Sequence, residues 1–548
     1  MFDRLTKAIQ HSSWAITPYI YLLLWTLPLV VSQSFHQSLM AHDEGFYAVQ
    51  ARYMLETGDW ITPQWGAGFN FDRTIGIQWL IALCFKLFGV HETSVRLPSA
   101  IAYILSSLLT FRIGEIMLGR SIGFLAALIF SVTPIMVQYA GLGTQDSMLV
   151  AIELLAIWAF LEAQIARRSR LLFLTGATFG LAFLIKGFMA IPAAIALLPV
   201  LLLQSPREEK SLGGSFRNPW FYLGLIIGLI PVSGWLYAAT QQYGWLPIQT
   251  LVGKIFFLNN QEFHSAGPFY YLWNIPANAF PWAIPGVLGG VLVWKNPRYR
   301  AAIEPYRWLI LGFPILLFIE LNLFRTKTPY YPLQLLPWLA IFSAVTLDHC
   351  VAHYRKNWRS QLLGQVSRVM TAFSSLLLIL CITVSLNWIP VEFNQVKSIA
   401  FALATLAIGW LMPGLIWKKR AIVTRSELIT RWLSSLVLAP WLALNLVGIT
   451  GLWGDYAASI TRTFQNPSLQ LIFSMYPIHF IGTQTLKESE LQKTSLLLIF
   501  KTPRLGRYFD TLAELPNNSY AWISPDIKTQ PGDRQIITTE NWRLIKRP

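Results

Sequence analysis

Apolar runs of roughly 20 residues, each able to cross about 30 Å of hydrocarbon at 1.5 Å per residue, follow one another along most of the 548-residue chain. They lie near 15–33, 96–117, 121–138, 146–165, 170–185, 188–204, 220–240, 273–294, 308–324, 330–348, 369–388, 397–416 and 432–453. This pattern predicts an all-α polytopic membrane protein with about thirteen transmembrane helices in residues 1–454. The first run has no small-residue cleavage site after it and reads as a retained span. One further run, 74–90, carries Gln78 and Lys86 and is short.

Charge decides how that run is placed. Basic residues concentrate in the short loops at 112–120, 167–170, 207–217, 295–307, 355–368 and 418–431; with Arg4 and Lys7 they hold 23 of the 43 Lys and Arg. By the positive-inside rule these loops face the cytoplasm. Alternation between the two sides then holds only if 74–90 does not cross, so it is expected to lie in the outer interface, anchored by Trp79 and Lys86. The outer face receives a first loop, 34–95, with juxtamembrane helices, a middle loop, 241–272, and everything after 454. That last stretch, 455–548, has soluble composition. Its runs Leu469–Met475, His479–Gly482, Ser495–Lys501 and Tyr520–Ser524 predict a small α/β extracytoplasmic domain.

Composition sharpens this picture. With 54% hydrophobic and 13% charged residues the chain is an integral membrane protein, not a disordered, fibrous or disulfide-scaffold one. The net charge of +16 is chiefly a topology signal, so no nucleic-acid partner is expected. Cys84, Cys350 and Cys381 are far apart and show no metal-ligand spacing.

Five outer segments hold candidate chemistry. Asp43 and Glu44 open a helix of about fourteen residues, and Asp72 and Arg73 follow in the same loop. Asp146 lies at the outer mouth of the fourth span, and Lys186 stands alone between two apolar runs. Arg325, Lys327, Tyr330 and Tyr331 share a tight turn, and His264 precedes an aromatic run. Each has an ordinary explanation: helix-dipole complementation, N-capping, snorkelling or a structural histidine. Together they gather carboxylates and cations on one side of the membrane, while the spans hold few ionisable groups, Glu153 being the main exception. A transporter or lipid flippase/scramblase is the rival class; it would place such groups near the midplane among broken helices and internal repeats.

These motifs resemble the membrane glycosyltransferases of the GT-C fold that use polyprenyl-phosphate sugars, the lipid A aminoarabinose transferase and protein-mannosyltransferase group. The resemblance runs from Asp43 through Met54-Leu55-Glu56-Thr57-Gly58-Asp59-Trp60, Lys86-Leu87-Phe88-Gly89-Val90 and Arg96-Leu97-Pro98-Ser99. It continues at Asp146, Lys186-Gly187, His264, Pro281-Trp282 and Lys327-x-Pro329-Tyr330-Tyr331. It covers roughly 15–345 and gives nothing for the tail. It implies Asp43 as principal catalytic carboxylate, Asp146 as a second essential acid and Glu44 as support for Asp43. It further implies Arg73, Lys186, Lys327 and Tyr331, with neighbouring Arg325, around the donor phosphate, and Asp72 with His264 at a divalent metal, with no organic cofactor. The implied partners are a polyprenyl-phosphate sugar donor, a lipid, glycan or protein acceptor, and membrane lipids. The implied setting is the inner membrane, with the site and C-terminus extracytoplasmic. Three positions depart from the family pattern: Phe46 replaces Arg, Asp72-Arg73 replaces Glu-Lys, and Thr74-Ile75 replaces Pro-Pro.

Overall fold

The computed structural model describes residues 16–34, 37–66, 68–203, 214–260, 266–354, 362–389, 393–453, 455–482 and 490–548. The chain opens with α1 (Thr17–Ser34), α2 (Asp43–Thr57), the ribbon β1 (Gln64–Trp65) and β2 (Gly68–Phe69), and α3 (Gly76–Phe88). The bundle continues through α4 (Glu92–Leu118), α5 (Arg120–Ser131), α6 (Pro134–Ala140), α7 (Gln145–Ile165), α8 (Leu172–Lys186), α9 (Ile191–Leu203), α10 (Pro219–Tyr243) and α11 (Leu246–Asn260). It is completed by α12 (Tyr270–Asn278), α13 (Ala283–Lys295), α14 (Pro297–Ile303), α15 (Phe313–Leu323), α16 (Leu336–Ala352), α17 (Leu362–Ser385), α18 (Phe393–Lys418) and α19 (Arg425–Ile449).

Among the described residues, eight helices are long and apolar enough to cross a membrane, or up to eleven if three bent pairs each count as one span. The runs 121–138 and 273–294 are therefore not straight rods. The first breaks at Pro134 with a 66° bend; the second bends by 110° across 279–282, where Pro281 lacks a backbone donor. The run beginning at Trp308 follows Pro297–Tyr306 at a 95° angle.

The stretch 169–203 is predominantly apolar, yet Lys186 and then Gly187, at positive φ, interrupt it. Glycines at the α8–α10 contact define how the neighbouring helices run. A Cβ on Gly224 would lie 1.9 Å from Phe173 O, and one on Gly228 2.1 Å from Ala177 O. Both series rise together, so α8 and α10 run parallel with their backbones in direct contact. Small residues let these backbones touch, as is usual where lipid removes the hydrophobic drive between helices.

Helix α3, at 13 residues, is too short to cross. It buries Ile77, Ile81 and Phe85 and exposes Leu83, Leu87 and Phe88. Trp79 is half-buried and donates to Trp60 O at 2.8 Å.

The chain ends in α20 (Ala458–Gln465), α21 (Pro467–Met475), β3 (Ile478–Ile481), α22 (Glu490–Lys501), β4 (Leu505–Phe509), β5 (Tyr520–Ile523), β6 (Arg534–Thr539) and β7 (Trp542–Lys546). The sheet order is β4-β3-β5-β7-β6, with β3 parallel to β4 and β5 and the other pairs antiparallel. This unit does not pack alone. Leu496 to Phe500 of α22 and Phe480, Trp522 and Leu544 of the sheet share one apolar cluster with Tyr47, Ala48 and Met54 of α2 and Ile81 and Phe85 of α3.

Candidate active site

Helix α2 starts at Asp43 and Glu44, which complement the positive end of its dipole, but no side chain caps it. Asp43 turns instead to Arg73, whose Nη1 donates to Asp43 Oδ1 and to Tyr47 Oη, both at 2.6 Å. Tyr47 lies one turn after Asp43 and hence on the same helix face. Burial works to raise the Asp43 pKa, but the Arg73 guanidinium, aided by His42, outweighs it and holds the carboxyl well below the usual carboxylate range. Burial pushes the Tyr47 phenol up, so it stays neutral.

Glu44 faces the other way and is fully buried. Its carboxylate accepts from Arg96 Nε at 2.8 Å and Nη2 at 3.2 Å, from Met40 N at 2.8 Å and from Gly143 N at 2.9 Å. Arg96 also reaches the carbonyls of Gln37 and Ser38. Glu44 therefore ties α2 both to α4 and to the turn that leads into α7.

That turn delivers Asp146. The N-cap of α7 is Thr144, and Asp146 in the first turn forms an ion pair with Lys186, the last residue of α8. With 11% of its side chain exposed, Lys186 does not snorkel; its ammonium lies 5.4 Å from the Tyr330 ring centre and 5.7 Å from that of Tyr331, within cation–π range. Asp43 and Asp146 both act electrostatically on Tyr47, Tyr139, Tyr330 and Tyr331. Tyr330 contacts both Tyr139 and Tyr331 beside Lys186, while Tyr47 lies against Arg73.

The remaining candidates are placed differently. Asp72 is held by Lys254 at 3.0 Å, with Arg73 Nε 3.9 Å away. Among the described residues no three His, Cys, Asp or Glu come together as metal ligands, and His264 lies outside those residues. In this structure Asp72 is thus paired with Lys254 rather than with another candidate metal ligand. Lys327 is buried with its ammonium on Phe324 O at 2.6 Å and Ala266 O at 3.4 Å, and Arg325 is exposed. Phe46 packs edge-on against Trp65 and His42.

The sequence assigns no role to Tyr47, Tyr139 or Lys254, and it marks Arg96 only as part of the Arg96-Leu97-Pro98-Ser99 motif. For Tyr47 a signal existed in its spacing of four from Asp43. Arg96 and Lys254 meet their partners across long separations, which no local pattern records.

Known proteins resemble this chain in both sequence and fold. The profile of the dolichyl-phosphate-mannose-protein mannosyltransferase family matches residues 72–237. The undecaprenyl phosphate-α-4-amino-4-deoxy-L-arabinose arabinosyl transferase of Yersinia enterocolitica is 25% identical over 426 residues, covering 74% of this chain and 72% of that protein. The Pseudomonas aeruginosa enzyme of the same name is 28% identical over 359 residues, covering 63% of this chain and 62% of the relative, less than two thirds of its length. The crystal structure of ArnT from Cupriavidus metallidurans bound to undecaprenyl phosphate superposes with a TM-score of 0.71 at 19% identity, over 97% of this chain and 98% of that one. The chain has the GT-C fold and is a multi-pass membrane glycosyltransferase. Within that class its sequence is similar to the arabinosyl transferases and, over residues 72–237, to the protein mannosyltransferases.

Proposed function

We propose that the protein moves a sugar from a polyprenyl-phosphate donor to a hydroxyl or phosphate of a lipid, glycan or protein acceptor at the extracytoplasmic face of the inner membrane, with inversion. The observation that carries this reading is the pairing of two carboxylates with two cations, Asp43 with Arg73 and Asp146 with Lys186, each cation also lying against tyrosine, Arg73 on Tyr47 and Lys186 on Tyr330 and Tyr331. The names of the relatives supply the donor class, because the arabinosyl transferases act from undecaprenyl phosphate and the superposed ArnT binds that lipid.

Arg73 and Lys186 carry charge suited to the donor phosphate, and Tyr331 lies beside Lys186. A general base works best with a pKa near the working pH, whereas Arg73 keeps Asp43 strongly acidic while the two are paired alone. An arriving phosphate shares the guanidinium and thereby restores basicity to Asp43. Asp43 then takes the acceptor hydroxyl proton; the acceptor oxygen attacks the anomeric carbon opposite the phosphate, and the C–O bond to phosphate breaks with the electron pair on the phosphate oxygen. An acceptor phosphate is already anionic and needs no base, so for it Asp43 orients and balances charge. Asp146 holds Lys186 in place, and Glu44 positions the loops that present both acids. The apolar spans would receive the polyprenyl tail and keep the head group at the interface. The transporter reading is not favoured, because the paired acids and cations gather at one end of the bundle and the chain resembles transferases throughout 72–237.

The test is sugar release from a polyprenyl-phosphate donor by purified wild type, Asp43→Asn and Asp146→Asn. Substitutions that leave both transfer and folding intact would overturn the roles given to these residues.

A further inference from the structure

Arg52 lies on α2, nine residues beyond Asp43, and is 4% exposed. Its guanidinium meets the C-terminal end of α22. Nη1 donates to the carbonyls of Ile499 at 3.0 Å, Phe500 at 3.0 Å and Thr502 at 2.7 Å, Nη2 donates to Pro503 O at 3.3 Å, and Nε binds Glu56 at 2.6 Å. The last carbonyls of a helix have no partner within it and carry the negative end of its dipole. A helix commonly finds that cap in its own following residues. Here the cap comes from the helix that carries the candidate base.

Other contacts reinforce the junction. A Cβ on Gly45 would lie 3.7 Å from Leu497 Cδ2, so α22 packs directly behind the first turn of α2. The hydroxyls of Tyr53 and Tyr508 are hydrogen-bonded, and Ser38 Oγ donates to Asp455 Oδ1 at 2.7 Å. Lys501 pairs with Glu92 at the start of α4, the helix whose Arg96 grips Glu44. The end of α22 is thus fastened to both elements that hold the acidic pair.

We infer that Arg52 is a positioning residue for sugar transfer: by capping α22 it locks the C-terminal unit onto α2 and so fixes Asp43 relative to Arg73 and the Asp146–Lys186 pair. The C-terminal unit is then part of the catalytic apparatus although it touches no reacting atom. This rests on the transferase reading above. A displacement of about 1 Å at a reacting group can cost on the order of a hundredfold in rate, so a loosened α2 acts mainly on turnover.

The experiment uses the full chain as wild type, Arg52→Lys and Arg52→Gln. It reads kcat and KM for a polyprenyl-phosphate sugar, and hydrogen–deuterium exchange of the amides of residues 43–50. Arg52→Gln is expected to lower kcat roughly tenfold or more, leave KM within about twofold and raise exchange at the start of α2 while the spans keep their protection. Arg52→Lys, which keeps the charge but not the planar fork, falls between. Unchanged kcat and unchanged exchange at 43–50 would overturn the inference, as would loosening spread over the whole chain with kcat per folded molecule intact. If Arg52→Gln does not accumulate folded, Leu497→Ala weakens the same junction and is read the same way. A wild type that binds donor without transferring sugar would refute the proposed function, while the exchange data still decide whether Arg52 holds α2.

Discussion

Replacing Glu44 with Gln isolates what the buried carboxylate does. It accepts four hydrogen bonds, two of them from Arg96, and neither side chain of this pair reaches solvent. Glutamine keeps the shape but sets an NH2 group against donors and leaves the Arg96 charge buried without its partner. Breaking a buried pair from one side costs about 3–5 kcal/mol. A membrane protein of this size unfolds irreversibly, so the cost is best read as a half-life in detergent at fixed temperature. Each ~1.4 kcal/mol taken from the unfolding barrier shortens that half-life about tenfold. Glu44→Gln is therefore expected to shorten it by at least that factor. The double variant Glu44→Gln/Arg96→Met should recover part of the loss, because the uncompensated charge goes with the arginine. Transfer should fall as well, since Gly143 and Asp43 both lose their fixed point. A Glu44→Gln protein with wild-type half-life and wild-type transfer would refute the assignment of Glu44 as the tie between the two acids.

Other expectations rest on the same geometry. The folded Asp43 pKa lies below its unfolded value of about 3.9. The group therefore adds stability above that value and loses it as pH falls through the lower folded one. Arg73→Gln removes the lowering charge, so the acid limb of kcat/KM should move to higher pH; a limb that stays in place contradicts the pairing. Lys186→Met strips Asp146 of its partner and should abolish transfer measured from a polyprenyl-phosphate donor, while Lys327→Met, whose ammonium rests on backbone carbonyls, should reduce it far less. Gly224→Val would drive its Cβ against Phe173 O, 1.9 Å away, and should sharply reduce the yield of folded protein on size exclusion. A cysteine at Asp526 should react with a membrane-impermeant maleimide in intact spheroplasts, whereas one at Arg300 should not.

The helical, membrane-embedded character was legible because lipid forces every spanning segment to be apolar and about 20 residues long. The bends at Thr133–Pro134 and 279–282 were not, since an apolar run looks the same straight or broken. Length and flanking charge identified α3 as a helix too short to span. Asp43, Arg73, Asp146 and Lys186 were legible only as candidate residue types, and the fold brings them into pairs. What local pattern could not reveal was which partner each would take: Asp72 went to Lys254, Lys327 to backbone carbonyls, and Glu44 to Arg96. The tail's soluble composition suggests a domain of its own; one apolar face of its sheet closes on tail residues such as Leu512 and Leu515, while the other is shared with α2 and α3. Such a shared core joins segments as far apart as Arg52 and Ile499, 447 residues along the chain, and leaves no periodic trace.

We propose that sugar transfer from a lipid phosphate depends on Asp43 and Asp146, each held by a cation. The most direct measurement is single-turnover transfer from a radiolabelled polyprenyl-phosphate sugar in proteoliposomes, comparing wild type with Asp43→Asn and Asp146→Asn after each has been shown folded and able to bind the donor. The wild type is expected to show bound donor and labelled product, and both variants bound donor with at least a hundredfold less product. Product formation at the wild-type rate by either folded variant would contradict it.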